Sequence, residues 1–68
     1  MITLRDTLRQ GDETYVTDYR IEEITIETLR PIVGKSVGSR YLAELSSQLY
    51  YSGWGQLGWS VYTVISWE

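Results

Sequence analysis

A chain of 68 residues with no cysteine and no histidine is short enough to be one domain, residues 1–68. It has no disulfide staples and lacks the usual ligands of zinc, haem and iron–sulfur clusters. Its formal charge of −3 is modest, no apolar run approaches the roughly 20 residues of a membrane span, and the N-terminus lacks the basic-then-apolar order of a signal peptide. The expectation is a soluble cytoplasmic protein with no cofactor. A single core of this size supplies only about 3 to 5 kcal/mol. Three tryptophans and six tyrosines, each burying roughly 150 to 250 Å², are the material for a dense core or for self-association.

At the N-terminus, Ile2, Leu4 and Leu8 alternate with Thr3, Arg5, Thr7 and Arg9 as in a strand. Thr3 and Asp6 also form a weak capping box, with Leu4 and Leu8 one helical turn apart. The strand is preferred, because a sheet of only two strands is marginal in water, and Gln10-Gly11-Asp12-Glu13 turns the chain into the next strand. From Thr14 to about Ile26 a second strand is expected. Tyr15, Thr17, Tyr19 and Ile21 lie on one face, with Val16, Asp18, Arg20 and Glu22 opposite. The phase slips at Glu22-Glu23, which predicts a bulge or a break. The stretch from Thr28 to Gly34 predicts at most a helical turn, capped by Thr28, with Pro31 tolerated in the first turn and Gly34 as the stop.

The strongest helix runs from about Ser39 to Ser52, with Ser39 as cap, an apolar stripe of Tyr41, Leu42, Leu45 and Leu49, and Gly53 as the left-handed residue after it. Gly53-Trp54-Gly55 reads as a loop. Residues 57–68 then alternate as a strand whose apolar face is Leu57, Trp59, Val61, Thr63, Ile65 and Trp67. That pattern predicts Trp59 and Trp67 in the core, with Trp54 outside it. The expected architecture is α+β: a small antiparallel three-stranded sheet with one main helix packed on one face, in the order β-β-α-β.

Charge gives the clearest functional signal. Between residues 12 and 27 the acids Asp12, Glu13, Asp18, Glu22, Glu23 and Glu27 face a single base, Arg20. Such a segment repels phosphate and favours a protein partner with a basic surface. Catalytic readings find little support. Gly34-Lys35-Ser36 resembles the end of a phosphate-binding loop, but Leu29 stands where the first glycine belongs. A serine–lysine pair there is the one nucleophile–base combination on offer. Glu22, Glu23 and Glu27 have oxygen ligands for a divalent cation but not the spacing of a calcium loop, so no metal is expected.

Tyr15 and Tyr19 would stack on nucleic-acid bases only in a basic groove, and they lie in the acidic segment. The small basic group Arg30, Lys35 and Arg40 is the remaining support for direct nucleic-acid binding, which is therefore disfavoured. Interfaces are rich in Tyr, Trp and Arg. Tyr50 and Tyr51 are adjacent in a helix, so both cannot face inward. The expectation is a non-catalytic protein-binding module with the six acids facing a basic partner and Tyr50, Tyr51 and Trp54 as anchors. By analogy alone, it suits the small acidic anti-defence inhibitors of phages and mobile elements, which block the nucleic-acid-binding surface of an enzyme. The alternatives are a self-associating homodimer and a small nucleic-acid binder.

Overall fold

The computed structural model describes every residue from Met1 to Glu68. The elements, in order, are β1 (Ile2–Gln10), β2 (Glu13–Ile21), α1 (Ile26–Val33), α2 (Ser39–Ser52), β3 (Trp54–Leu57) and β4 (Ser60–Trp67). All strand pairs are antiparallel, and the four strands form one sheet in the order β2-β1-β4-β3. Leu29 of α1 and Leu42, Leu45 and Leu49 of α2 join Ile2, Leu4, Ile21 and Tyr62 in one buried cluster, so both helices cover the same face of the sheet. The class is α+β, as expected, with a fourth strand and a second helix beyond the expected three-stranded sheet and single main helix.

The two outer hairpins are built alike. Gly11-Asp12 joins β1 to β2 and Gly58-Trp59 joins β3 to β4, each as a two-residue turn with its glycine at positive φ, 60° and 62°. Glycine at the first central position sets the tight turn that matches strand twist. The second turn splits the stretch that reads as one strand from residue 57, so Leu57 ends β3 and Trp59 sits at a hairpin tip. Trp54, expected in a loop, begins β3 opposite Thr63.

β2 has the alternation expected of it but ends at Ile21, not near Ile26. The phase slip at Glu22-Glu23 is the end of the strand, and Ile24 and Ile26 pack on the core as the chain enters α1. That helix has eight residues, more than the single turn expected. Its cap is Thr25: the Thr28 amide donates to Thr25 Oγ1 at 3.2 Å, and the Thr25 amide donates to Thr28 Oγ1 at 3.0 Å. This is a reciprocal capping box with threonine in the position glutamate usually takes. Thr28 is thus the third helical residue and not the cap. Pro31 lies past the first turn, inside the helix and exposed, so Glu27 loses the backbone bond a proline cannot donate.

The bounds of α2 match the expectation, including Gly53 at φ 81° with its amide on the Leu49 carbonyl at 3.1 Å. The cap does not, because Gly38 is the N-cap and makes no side-chain bond. Ser39 serves another purpose. Its hydroxyl accepts from Arg30 Nη2 at 2.8 Å, while Arg30 Nη1 donates to the Val37 carbonyl at 3.0 Å. One guanidinium therefore ties α1 to the start of α2. Arg30→Ala should cost about 1 to 3 kcal/mol, the range for a charged donor lost from two partners. Arg40→Ala, on an exposed residue of the same region, should stay within about 0.5 kcal/mol; urea denaturation of the two variants checks the ranking.

The core is aliphatic, with Tyr62 as its one aromatic. Trp59 and Trp67, expected inside, are 82% and 55% exposed, and Tyr41 is 56% exposed. Two facts explain the inversion. The helices cover the face of β4 that carries Tyr62 and Val64, leaving Val61 and Thr63 on the other. A bulge where β4 passes Thr3 and Leu4 then shifts the phase, so Trp67 pairs with Ile2 at the rim of the helix side.

Candidate interaction surface

Cross-strand partners share a face, so the register reads out the sheet surface that no helix covers. One row across it is Trp54, Thr63, Arg5 and Asp18, and the next is Gln56, Val61, Thr7 and Val16. Arg9 and Thr14 continue the pattern toward the hairpin tips, where Thr7, Arg9, Gly11, Gln56, Trp59 and Val61 line a depression of about 360 Å³.

The six acids do not form one surface. Asp12 lies in the β1–β2 turn and Glu13 begins β2, where its carboxylate accepts from the Tyr15 hydroxyl and raises the pKa of that phenol. Glu22 and Glu23 follow the far end of β2, and Glu27 is in the first turn of α1. A strand of nine residues separates these groups by about 27 Å. Asp18 sits between them on the open face and is already engaged. Arg5 donates to its two oxygens at 2.9 and 3.1 Å, and this hydrogen-bonded pairing holds the carboxyl below its usual pKa while raising that of the guanidinium. The other ion pair joins Arg20 to Glu68 at 3.4 Å. Glu22, Glu23 and Glu27 are exposed and belong to neither pair.

The expected anchors also separate. Tyr50 and Tyr51, at the C-terminal end of α2, meet edge to face with ring centroids 5.1 Å apart, and Tyr50 meets Trp67 in the same way at 6.4 Å. All three are more than half exposed, a cluster of aromatic side chains on the surface. Trp67 was hidden from sequence reading by its strand phase, which placed it in the core. Trp54 is not in this cluster and stands on the open sheet face.

Lys35 and Ser36 are exposed in the turn between the helices, and no three acidic side chains converge in a way that would hold a metal ion. Asp6 faces Thr17 and Tyr62 across the strands on either side, with Oδ1 buried and without a hydrogen-bond partner. Burial, reinforced by this carboxylate, raises the pKa of Tyr62. Of the basic group Arg30, Lys35 and Arg40, Arg30 is spent on holding the helices together.

No helix is long and apolar enough to cross a membrane. Comparison with known proteins finds no matching family model, no matching curated protein and no matching solved structure. The class defined by the geometry is a two-layer α+β domain with one open sheet face, two edge strands of which β2 is the longer, and an exposed aromatic cluster beside its second helix.

Proposed function

We propose that this protein is a non-catalytic protein-binding module, a small acidic inhibitor that occupies the basic nucleic-acid-binding surface of a partner enzyme. The observation that carries the reading is the corner between β2 and α1, where Glu22, Glu23 and Glu27 are exposed with no counter-ion. Arg5, Arg20 and Arg30 are meanwhile engaged within the chain itself. Uncompensated acids on a small domain steer a basic partner and fix its orientation. Tyr50, Tyr51 and Trp67 add the large apolar contact that charge alone does not provide. Inhibition is by occupancy, since the partner's groove is filled and its phosphate-binding residues are neutralised.

The test is charge reversal. The tagged protein captures its partner from cells of its source, and association is then timed at two ionic strengths. Glu22→Lys with Glu23→Lys should slow association by about tenfold or more and flatten its salt dependence, while the melting curve stays nearly unchanged because both sites are exposed. An unchanged association rate in the folded double variant overturns the reading.

A further inference from the structure

We infer that the outer edge of β2 takes up an extended basic segment of the partner as a fifth strand, an inference that rests on the basic-partner reading above and supplies its binding mode. β2 is an edge strand of nine residues that pairs with β1 alone. Its register with β1 runs unbroken from Glu13 to Ile21. It contains no proline and no lysine, and no helix covers Glu13 to Asp18, all of which are exposed. Proline, lysine and a covering helix are common protections of an edge, and β2, whose Asp18 and Arg20 are already paired within the chain, has none of these three; such an edge is a template for another strand. The opposite edge, β3, has four residues and is too short to serve in the same way.

The hairpin determines which groups are free. In a two-residue hairpin the closing residues, here Gln10 and Glu13, exchange both backbone hydrogen bonds, and the pattern then alternates. Glu13, Tyr15, Thr17, Tyr19 and Ile21 therefore bond to β1, while the amides and carbonyls of Thr14, Val16, Asp18 and Arg20 point outward. An incoming strand would bond to these four. Its side chains would fall alternately beside Tyr15 and Tyr19 on the helix side and beside Val16 and Asp18 on the open side. Tyr15 and Val16 are 48% and 56% exposed, so both sides have apolar area to bury.

Charge complementarity favours a basic occupant. Asp12 and Glu13 stand at one end of the edge and Glu22 and Glu23 at the other. If a second copy paired antiparallel in full overlap, centred on Thr17, Asp12 of one copy would stand opposite Glu22 of the other at both ends, and like charges placed so repel. A segment with lysine or arginine at each end meets attraction at both.

The experiment uses the full chain and a ten-residue probe peptide, three Thr-Val repeats flanked by two lysines on each side, with a glutamate-flanked version as control. Amide exchange is followed residue by residue by NMR. The lysine peptide should bind and slow exchange at Thr14, Val16, Asp18 and Arg20 by more than about tenfold, with the already protected alternate residues unchanged, and the glutamate peptide should do neither. Val16→Pro removes an outward donor without breaking the pairing to β1, and it should abolish that protection. Failure of the lysine peptide to bind overturns the edge proposal. Binding without the alternating protection overturns strand addition but leaves the basic-partner reading intact. Slow exchange at these four residues in the protein alone, together with a dimer in sedimentation, overturns the proposal in favour of a second copy. Strand addition that survives while Glu22→Lys with Glu23→Lys leaves the captured partner's association rate unchanged removes the earlier reading and not this one.

Discussion

Leu4→Ala should leave the protein largely unfolded at room temperature, and Trp59→Ala should leave its melting curve almost where it was. Leu4 has no exposed surface. It sits in β1, one of the two central strands, between Tyr19 of β2 and Val64 of β4, with the helix layer above it. Truncating a leucine so enclosed costs about 2 to 5 kcal/mol, against a total of about 3 to 5 kcal/mol for a core this small. Trp59 is the larger side chain, but at the tip of the β3–β4 turn it is 82% exposed, and exposed substitutions typically stay within about 0.5 kcal/mol. Urea denaturation of both variants is the measurement. If Trp59→Ala proved the more damaging, the leucine cluster would not be the core.

A second large effect is expected from adding one carbon atom. Gly55 is buried in β3 opposite Tyr62, where α2 crosses the sheet closely. A Cβ there would lie 2.6 Å from Gln48 Oε1, 2.7 Å from Leu45 Cδ1 and 3.1 Å from Gln48 Cβ. Gln48 is exposed and can swing its amide away, but Leu45 is 2% exposed and has nowhere to go. Gly55→Ala should therefore push α2 off β3 and cost about 1 to 3 kcal/mol, the usual range for an overpacked core. Adding Gln48→Ala should recover only part of the loss, because the leucine contact remains. A shift in the urea midpoint reads both variants. Full recovery in the double variant would show that the close approach to Leu45 does not constrain the packing.

These two predictions also mark which parts of the fold were legible in the chain. Periodic and punctuated stretches were. The leucine spacing closed by Gly53 marked α2, the alternation in β2 placed Tyr15, Tyr19 and Ile21 on one face, and Gly11 marked the first hairpin. Such signals depend on a few neighbouring residues, whose backbone preferences act whatever surrounds them. α1 was harder to see, because its cap is a threonine pair, Thr25 and Thr28, with no glutamate at the third position, and because Pro31 reads as a breaker.

The acids were equally legible as a concentration of charge, but their arrangement was not. Consecutive residues in a strand are about 3.3 Å apart, so an acidic run of sixteen residues becomes two separate groups once most of it is extended. Sequence also gave no sign that Asp18 would meet Arg5, since that pair depends on the hairpin register.

By itself, then, the amino-acid order determined the α+β class, the antiparallel hairpin, the long helix and the acidic bias, because each follows from local propensity or from composition. The tertiary structure alone decided which face of β4 is inside. Alternation shows that a strand has two faces without saying which one will be covered, and in β4 both faces carry apolar groups: Val61 and Ile65 on one, Tyr62 and Val64 on the other. The choice went to the face that the leucines of α1 and α2 cover, where five leucines and Tyr62 are buried together with no indole among them. All three tryptophans were therefore left at the surface.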